Sequence, residues 1–448
     1  MAAFKLPKEV QGWVQQLAGS LHERLAGRLS IMLFGLLFAT GRRSVASWLR
    51  AAQVGKDYRA YYYFLGAVGR TCAWISRRLL WLVWERLGSQ RPYEVVALDD
   101  SPTKRYGPHV EGAGIHHNPT PGPAAQKFLY GHVWVTLTWV VHHSLWGVLG
   151  LPLRALVYIR QKDVAKLAKW YPEVKFRTKL EMAAELVSWL VEGLQHTGKK
   201  LWLVMDGAYA KRELVKKALA CGVTVVSRLR KDAALRSLPE PPRRGQPSRR
   251  GPKPTYGKKA LSLAKRAAQT GGWQTDEFAL YGKKQRKTYK TFLATYALVG
   301  GMIRVVLVKE RRDWLALFCT DPEATVAQIL EAYAQRSAIE QNFHDLKEVH
   351  GAGQVQLRNL WANVGAFNLT LWLHTLVELW AWDQPAGRLR ERRRASPWDQ
   401  AERRPSHADR CNALRRQCVR QRITRLQGLR PKNGAIHNLL QGLLRMVV

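Results

Sequence analysis

The sequence is short of acidic residues, of cysteine and of long apolar runs. Asp and Glu number 33 against 72 Lys and Arg, which gives a formal net charge of +39. A surplus of this size repels itself unless a polyanion or an anionic membrane neutralises it. The five cysteines are widely spaced and form no CxxC pair. This spacing argues against a disulfide framework or a cysteine zinc site, and it favours reduced thiols in a cytosolic protein.

Apolar stretches long enough to cross a membrane are also lacking. Residues 29–40 are apolar over about a dozen positions, against the roughly 20 that a spanning helix needs. Residues 128–153 carry no charge but contain three histidines, and their Val, Thr and Trp content predicts two buried strands joined by a turn at 142–144. The first ten residues contain no apolar signal-peptide core. We therefore expect a cytoplasmic protein that binds a polyanion and no membrane.

The pattern that is present is that of an α/β protein. Apolar residues make up 46% of 448 positions, enough for a sizeable core. Residues 1–90 show helical spacing of apolar side chains with arginines and tyrosines between them, typical of either a solvated basic bundle or a DNA-binding domain. From Tyr93 onward, short apolar runs alternate with helical segments, which indicates an α/β core.

Shifts in composition predict five parts of the chain. They are a helical N-terminal DNA-binding domain at 1–90, a catalytic core at 91–227, a β-rich basic insertion at 228–320, the second part of the core at 321–385, and a basic tail at 386–448. Most of the positive charge lies in two of these parts. Residues 228–290 contain 18 Lys and Arg against 4 Asp and Glu, and residues 388–432 contain 15 against 4.

Two apolar runs lead into acidic residues. Residues 94–98 precede Asp99 and Asp100, and residues 201–205 precede Asp206. The pattern predicts two buried strands that carry carboxylates at their ends, with either Asp99 or Asp100 as the functional acid of the first. Carboxylates that converge from neighbouring strands provide the oxygen ligands that Mg²⁺ prefers. Each Asp alone is equally typical of a turn or a helix N-cap.

A third acid lies in a helical segment at 322–350. At about 100° per residue, Tyr333, Arg336, Glu340 and Lys347 fall within an arc of about 60° on one face of one helix. A carboxylate in such a row can hold a metal while Arg and Lys grip phosphates on either side of it, and the Tyr can donate to a phosphate or stack on a base. An i,i+4 ion pair between Arg336 and Glu340 on an ordinary amphipathic helix is the structural alternative.

This spacing resembles the Y-(2)-R-(3)-E-(6)-K signature of one group of DDE transposases from bacterial insertion sequences. Tyr333, Arg336, Glu340 and Lys347 match that signature without a gap. The resemblance covers roughly residues 93–380.

The two aspartate motifs extend the resemblance. Asp99 has Ser101 two residues later, as in the family's first motif, which favours Asp99 over Asp100. Asp206 follows an apolar strand, as in the second motif, although Gly207 stands where the family often has Arg.

The resemblance implies a fold and an activity. The fold would be an RNase H-like mixed sheet with flanking helices, a β-rich insertion and an all-α N-terminal domain. The activity would be metal-dependent cleavage of phosphodiester bonds at transposon ends, followed by strand transfer into target DNA. Asp99, Asp206 and Glu340 would bind two Mg²⁺ ions, for which Mn²⁺ can substitute. The expected partners are terminal inverted repeats, target DNA and a second copy of the chain when DNA is bound.

Further DNA contacts are expected from the insertion. The resemblance implies that an aromatic residue there receives a flipped base, and Trp314 is the candidate. Arg249, Arg250 and Lys253 lie in a Gly- and Pro-rich segment typical of a minor-groove arm or of a solvated loop. Two other functions fit the same residues: a non-catalytic, domesticated DNA-binding protein, and a metal-dependent endonuclease without strand transfer.

Overall fold

The computed structural model describes residues 5–88, 91–118, 127–240, 254–390 and 402–427. Its helices are α1 (Lys8–Ala18), α2 (Glu23–Phe38), α3 (Val45–Ala51), α4 (Tyr58–Leu87), α5 (Gln161–Leu167), α6 (Lys179–Leu194), α7 (Arg212–Ala220), α8 (Leu263–Ala268), α9 (Val326–Gln335), α10 (Ser337–Glu348), α11 (Leu360–Ala381), α12 (Ala386–Leu389) and α13 (His407–Gln427). Its strands are β1 (Tyr93–Lys104), β2 (Gly114–His117), β3 (Phe128–His143), β4 (Gly147–Tyr158), β5 (Lys200–Met205), β6 (Thr224–Arg228), β7 (Leu235–Arg236), β8 (Ala260–Leu261), β9 (Gln274–Leu280), β10 (Lys283–Tyr296), β11 (Gly301–Lys309) and β12 (Trp314–Cys319).

Five strands form the sheet of an RNase H-like core, in the order β4-β3-β1-β5-β6. Strands β4, β3 and β1 are antiparallel neighbours, whereas β1, β5 and β6 run parallel. The parallel strands read as continuous apolar runs because helices cover both faces of the sheet. The predicted RNase H-like mixed sheet with flanking helices is confirmed.

The insertion extends this sheet. Strand β12 pairs antiparallel with β6 through Leu317 opposite Arg228 and Cys319 opposite Val226, and β11, β10 and β7 follow in order. The sequence predicts β runs at 288–298, 302–309 and 313–318 in this insertion, and they correspond to β10, β11 and β12. Strand β9 and the start of β10 lie before these runs and were not predicted as strands. Both are largely exposed, so they lack the apolar pattern that marks a buried strand.

The N-terminal segment is helical, as predicted, and it packs on the core through α4 and α11. All residues of α11 except Trp361 are buried, so the helix is enclosed on every side and shows no amphipathic stripe. Within the described part of the chain, no helix is both long and apolar enough to cross a bilayer.

Two details differ from the sequence predictions. The turn between β3 and β4 lies at 144–146, because His142 and His143 still pair with Val148 and Gly147 in the ladder. The segment predicted as a basic tail contains α13, whose Arg410 Nε donates to buried Glu378 on α11 at 3.0 Å. The boundaries of the five predicted parts remain predictions.

The crossing of α4 and α11 is close enough to require glycine on both helices. A Cβ atom on Gly69 would lie 1.9 Å from the carbonyl oxygen of Trp361, and one on Gly365 would lie 2.1 Å from that of Leu65. These neighbours are backbone atoms that cannot rotate away. The two backbones therefore touch, which fixes the N-terminal helices against the sheet.

Replacement of Gly365 by Ala is expected to lower the free energy of unfolding by about 1–3 kcal/mol, since the helices must separate to admit the methyl group. Gly12→Ala is the matched control, because a Cβ there meets nothing within 4 Å and helix propensity gains about 1 kcal/mol. Urea denaturation followed by circular dichroism measures both. Equal stability of Gly365→Ala and the native protein would contradict the close crossing.

Candidate active site

The register between β1 and β5 brings two of the predicted acids together. Leu98 pairs with Met205 in the parallel ladder, and Asp99 and Asp206 follow these residues in the chain. Neighbouring strands are about 4.8 Å apart, so the two carboxylates lie side by side. The sequence predicted Asp99 at the end of its strand, and this is wrong. Asp99 lies within β1, because the strand continues along β3 with Asp99 opposite Thr136.

Consecutive residues of a strand point to opposite faces of a sheet, and this separates Asp100 from Asp99. Asp100 accepts hydrogen bonds from Lys179 Nζ at 2.7 Å and from the Tyr209 hydroxyl at 2.6 Å. A capping box of Thr178 and Glu181 fixes the start of α6 and therefore the position of Lys179. Burial and the Asp100 carboxylate raise the pKa of Tyr209, so its hydroxyl remains a donor.

Asp99 faces the other side, toward Arg336. Its Oδ2 accepts from Arg336 Nη1 at 2.8 Å, and its Oδ1 accepts from the Asp100 amide at 2.8 Å. Burial raises the pKa of Asp99 to about 6, and the charges of Asp100 and Asp206 add to the rise that the amide and Arg336 oppose. A buried carboxyl beside two other acids is an environment that favours a bound cation.

Arg336 connects Asp99 to the third predicted acid. Its Nη2 donates to Glu340, whose side chain is 55% exposed. Burial alone would lower the pKa of Arg336, but the carboxylates of Glu340 and Asp99 outweigh it and raise that pKa. The i,i+4 ion pair considered from the sequence is therefore present, and it is shared with Asp99 on the sheet.

The prediction that one helix carries Tyr333, Arg336, Glu340 and Lys347 is wrong in one respect. The segment forms two helices, α9 and α10, that meet at Arg336. The amide of Arg336 bonds the carbonyl of Tyr333, and the amide of Ile339 bonds that of Arg336, which are the i→i+3 bonds of a tightened turn.

The structure groups Tyr333 with the acids and leaves Lys347 apart. Burial raises the pKa of Tyr333, which lies close enough to Arg336 and Asp206 to feel both charges. Lys347 lies two turns beyond Glu340, a rise of about 10 Å along the helix. Burial lowers the pKa of Lys347, and the carboxylate that acts on it is that of Glu348.

The donor chemistry of Asp99, Asp206 and Glu340 fits a divalent ion that prefers oxygen. Three carboxylates surround one arginine, and the raised pKa of Asp99 shows the local excess of negative charge. In this conformation the oxygens of the three residues do not all lie within 4.8 Å of one another. Arg336 lies between Asp99 and Glu340, so binding of a cation by all three requires that ion pair to open.

Of the predicted DNA contacts in the insertion, the structure describes only Trp314. Trp314 begins β12, three residues before Leu317 pairs with Arg228 on β6, and Lys231 Nζ lies 5.2 Å from the centroid of its ring. Arg249, Arg250 and Lys253 lie outside the described residues.

Sequence reasoning missed Lys179, because a lysine at the start of a helix carries no signal of its own. It also missed the contact of Tyr209 with Asp100. The contact of both residues with Asp100 depends on the face to which Asp100 points, and two consecutive acids cannot be told apart before the strand is placed.

Comparison with known proteins gives one family. A family model described as DDE superfamily endonuclease matches residues 16–291, more than half of the chain. The match includes Asp99 and Asp206 and ends before α9, so the segment with Glu340 lies beyond it. No curated protein matches this chain significantly. Enzymes of that superfamily use divalent metal ions, typically Mg²⁺.

The raised pKa of Asp99 predicts that metal binding at these acids weakens in mild acid. A proton competes for the carboxylate as the pH falls through about 6, so Mn²⁺ affinity is expected to fall roughly tenfold for each pH unit below that value. Electron paramagnetic resonance of Mn²⁺ at pH 5.0 to 7.5 measures the free ion. Asp99→Asn is the control and should bind weakly at every pH. A constant affinity of the native protein across this range would contradict the assignment.

Proposed function

The chain belongs to the DDE superfamily of endonucleases, and from this premise we propose that it is a DNA transposase with Asp99, Asp206 and Glu340 as its catalytic acids. The observation that carries the proposal is the register of β1 and β5. It sets Asp99 beside Asp206 in a buried environment, and Arg336 ties Glu340 to the same place. The order of the three acids along the chain is that of the D, D, E motif.

The three carboxylates would hold two Mg²⁺ ions, or Mn²⁺ in their place. Such ions supply an activated nucleophile and neutralise charge on the phosphate under attack. Asp99 contributes a carboxylate that two donors fix on the sheet. Asp206 would contribute one directly after β5, and Glu340 would contribute an exposed carboxylate from the first turn of α10.

Arg336 and Tyr333 would act on the DNA backbone. The guanidinium is held by two carboxylates in the protein alone, and its planar fork is equally suited to a phosphate. When phosphate and cations enter, Arg336 can exchange a carboxylate for a phosphate oxygen, which frees Glu340. The Y-R-E-K spacing supports this role, with Lys347 as a phosphate contact further along α10.

The positive charge supports DNA as the partner. The insertion extends the sheet that carries Asp99, so basic residues of β9 and β10 lie on the same continuous sheet. We assign further contacts with DNA to Trp314 and to Arg249, Arg250 and Lys253. Transposon ends would be bound by a homodimer at the nucleoid of a bacterial cell, in its cytoplasm.

Cleavage of DNA that carries the sequences from both sides of the gene, where the proposal expects inverted repeats, tests the proposal. The native protein with Mg²⁺ should cut and then join these ends to a target. Asp99→Asn and Glu340→Gln should slow cutting on the order of a thousandfold, a rise in the barrier of about 4 kcal/mol. Glu323→Gln, an exposed residue before α9, is the control and should cut normally.

Other outcomes of this experiment identify the alternatives. Cutting at the native rate by Glu340→Gln would remove that residue from the site. Binding without any cutting would indicate a domesticated DNA-binding protein. Cutting without a joined product would indicate an endonuclease that lacks strand transfer.

Binding to the same DNA is expected to weaken by about 10³-fold between 50 and 200 mM salt, because bound phosphates release counterions. Lys283, Lys284 and Arg286 are exposed on β10. Replacement of all three by Gln should reduce the slope of log affinity against log salt by roughly 3. Fluorescence anisotropy measures both quantities. Equal affinity at the two salt concentrations would contradict DNA binding through these charges.

A further inference from the structure

A second group of metal-ligating side chains lies away from the acids, where α10, α11 and α13 meet. We call it the buried histidine cluster, and its members are His350, His374, His407, Cys411 and Asp345. Each of the five is at most 7% exposed. The ligand atoms of His350, His407 and Cys411 lie within 4.8 Å of one another, and so do those of Asp345, His374 and His407.

If His407 is neutral and no metal is bound, its ring cannot accept a hydrogen bond from every donor that faces it. Glu378 accepts from His407 Nδ1 at 2.5 Å, which leaves the Nε2 of a neutral imidazole with one lone pair. His350 Nε2 lies 2.7 Å from that atom and Cys411 Sγ lies 3.5 Å from it. Two donors therefore compete for one acceptor in a buried place, where unsatisfied polar groups are costly.

His374 supplies a second, independent observation. Its ring stacks on that of His407 with centroids 3.9 Å apart. Its Nε2 lies 3.7 Å from Asp345 Oδ2, while its buried Nδ1 has no hydrogen-bond partner among the described residues. Without a metal ion, His374 Nδ1 would lack a hydrogen-bond partner, and so would either His350 Nε2 or the Cys411 thiol.

We propose that His350, His407 and Cys411, with a fourth ligand from Asp345 or His374, bind a zinc ion. Tetrahedral zinc with its usual bond lengths sets two nitrogens about 3.3 Å apart and a nitrogen and a sulfur about 3.6 Å apart. The separation of His407 and Cys411 already has that value, and the two imidazole nitrogens need to part by roughly half an ångström. When zinc binds, the Cys411 thiol releases its proton to solvent and the His350 imidazole carries its proton on Nδ1 instead of Nε2, so that three lone pairs converge on one point.

The surroundings have the features of a structural zinc site. Glu378 holds the second nitrogen of His407, the carboxylate–histidine arrangement that orients a metal ligand. Arg410 Nε donates to Glu378 and balances its charge. The thiolate of Cys411 and the carboxylate of Asp345 balance the two charges of zinc. The ligands are buried, and a closed site of this kind stabilises a fold and leaves no position for substrate.

The ion would fasten α13 to the end of α10, whose first turn carries Glu340. His407 and Cys411 are four residues apart on one face of α13, and His350 comes two residues after the end of α10. Bonds through the metal would fix the helix that presents Glu340 without any contact with DNA. The inference concerns a site separate from the acids and does not depend on the proposed function.

Metal analysis of the full chain purified without chelator tests the site. We expect about one zinc ion per chain. Replacement of zinc by Co²⁺ should give the sulfur-to-cobalt charge-transfer band and the strong visible bands of tetrahedral coordination. Carboxylate sites bind Co²⁺ in octahedral geometry and give neither signal. Native protein without zinc and without these bands after addition of Co²⁺ would overturn the proposal.

Cys418→Ser is the matched control for Cys411→Ser, because both thiols are buried on α13. Cys411→Ser should retain less than about a tenth of the zinc after dialysis, whereas Cys418→Ser should keep all of it. Glu378→Gln should weaken zinc binding about 10- to 100-fold. Equal zinc content of the two cysteine variants would refute the site. If Cys411→Ser does not fold by circular dichroism, the metal content and Co²⁺ spectrum of the native chain decide.

Glu340→Gln separates this result from the proposed function. The variant should lose cleavage and keep the zinc and the sulfur-to-cobalt band. Loss of the sulfur-to-cobalt band in Glu340→Gln would show that the metal depends on the acids and would contradict a separate zinc site. His374→Ala and Asp345→Asn identify the fourth ligand, since the change that alters the visible bands of Co²⁺ marks the residue bound to the ion.

Discussion

The parallel pairing of β1 with β5 is the constraint on which the rest of the site depends. It places Asp99 beside Asp206, and both residues are partly buried. Two such charges repel each other unless a cation lies near them. Arg336 supplies that cation in the protein alone, and in doing so it draws Glu340 toward the sheet. The ion pairs of Arg336 thus set the position of Glu340 relative to Asp99.

Alternation along β1 gives the two neighbouring acids different tasks. Asp99 faces the helices that carry Arg336, while Asp100 is held on the other face by Lys179 and Tyr209. The contacts of Asp100 hold β1 on the face opposite Asp99, so they help to fix the backbone that orients Asp99. A sheet with helices on both faces can hold adjacent charges only if each has its own partners.

Much of this was readable in the sequence, and the failures share a cause. The apolar runs before Asp99 and Asp206 predicted the two strands, and helical spacing grouped Tyr333, Arg336 and Glu340. The sequence reasoning did not identify the exposed strand β9, the break at Arg336 or the contact of Lys179 with Asp100. None of them is marked by a local pattern of apolar residues, since β9 is largely exposed and Lys179 lies 79 positions from Asp100. The wide spacing of the cysteines likewise gave no sign of the cluster around His407 and Cys411. Its other members come from α11 and from α10 and the residues just after it.

The pairing of β6 with β12 has a consequence for how this protein folds and diversifies. The insertion leaves the core at Arg228 and returns at Leu317, directly opposite. Because its ends meet, its length can change through lengthening or shortening of distal hairpins without moving the carboxylates. That freedom has a kinetic cost, since a long loop must close before β12 can dock on β6. Pairing of β12 with β6 is therefore expected to form late in folding, after the strands of the core have paired.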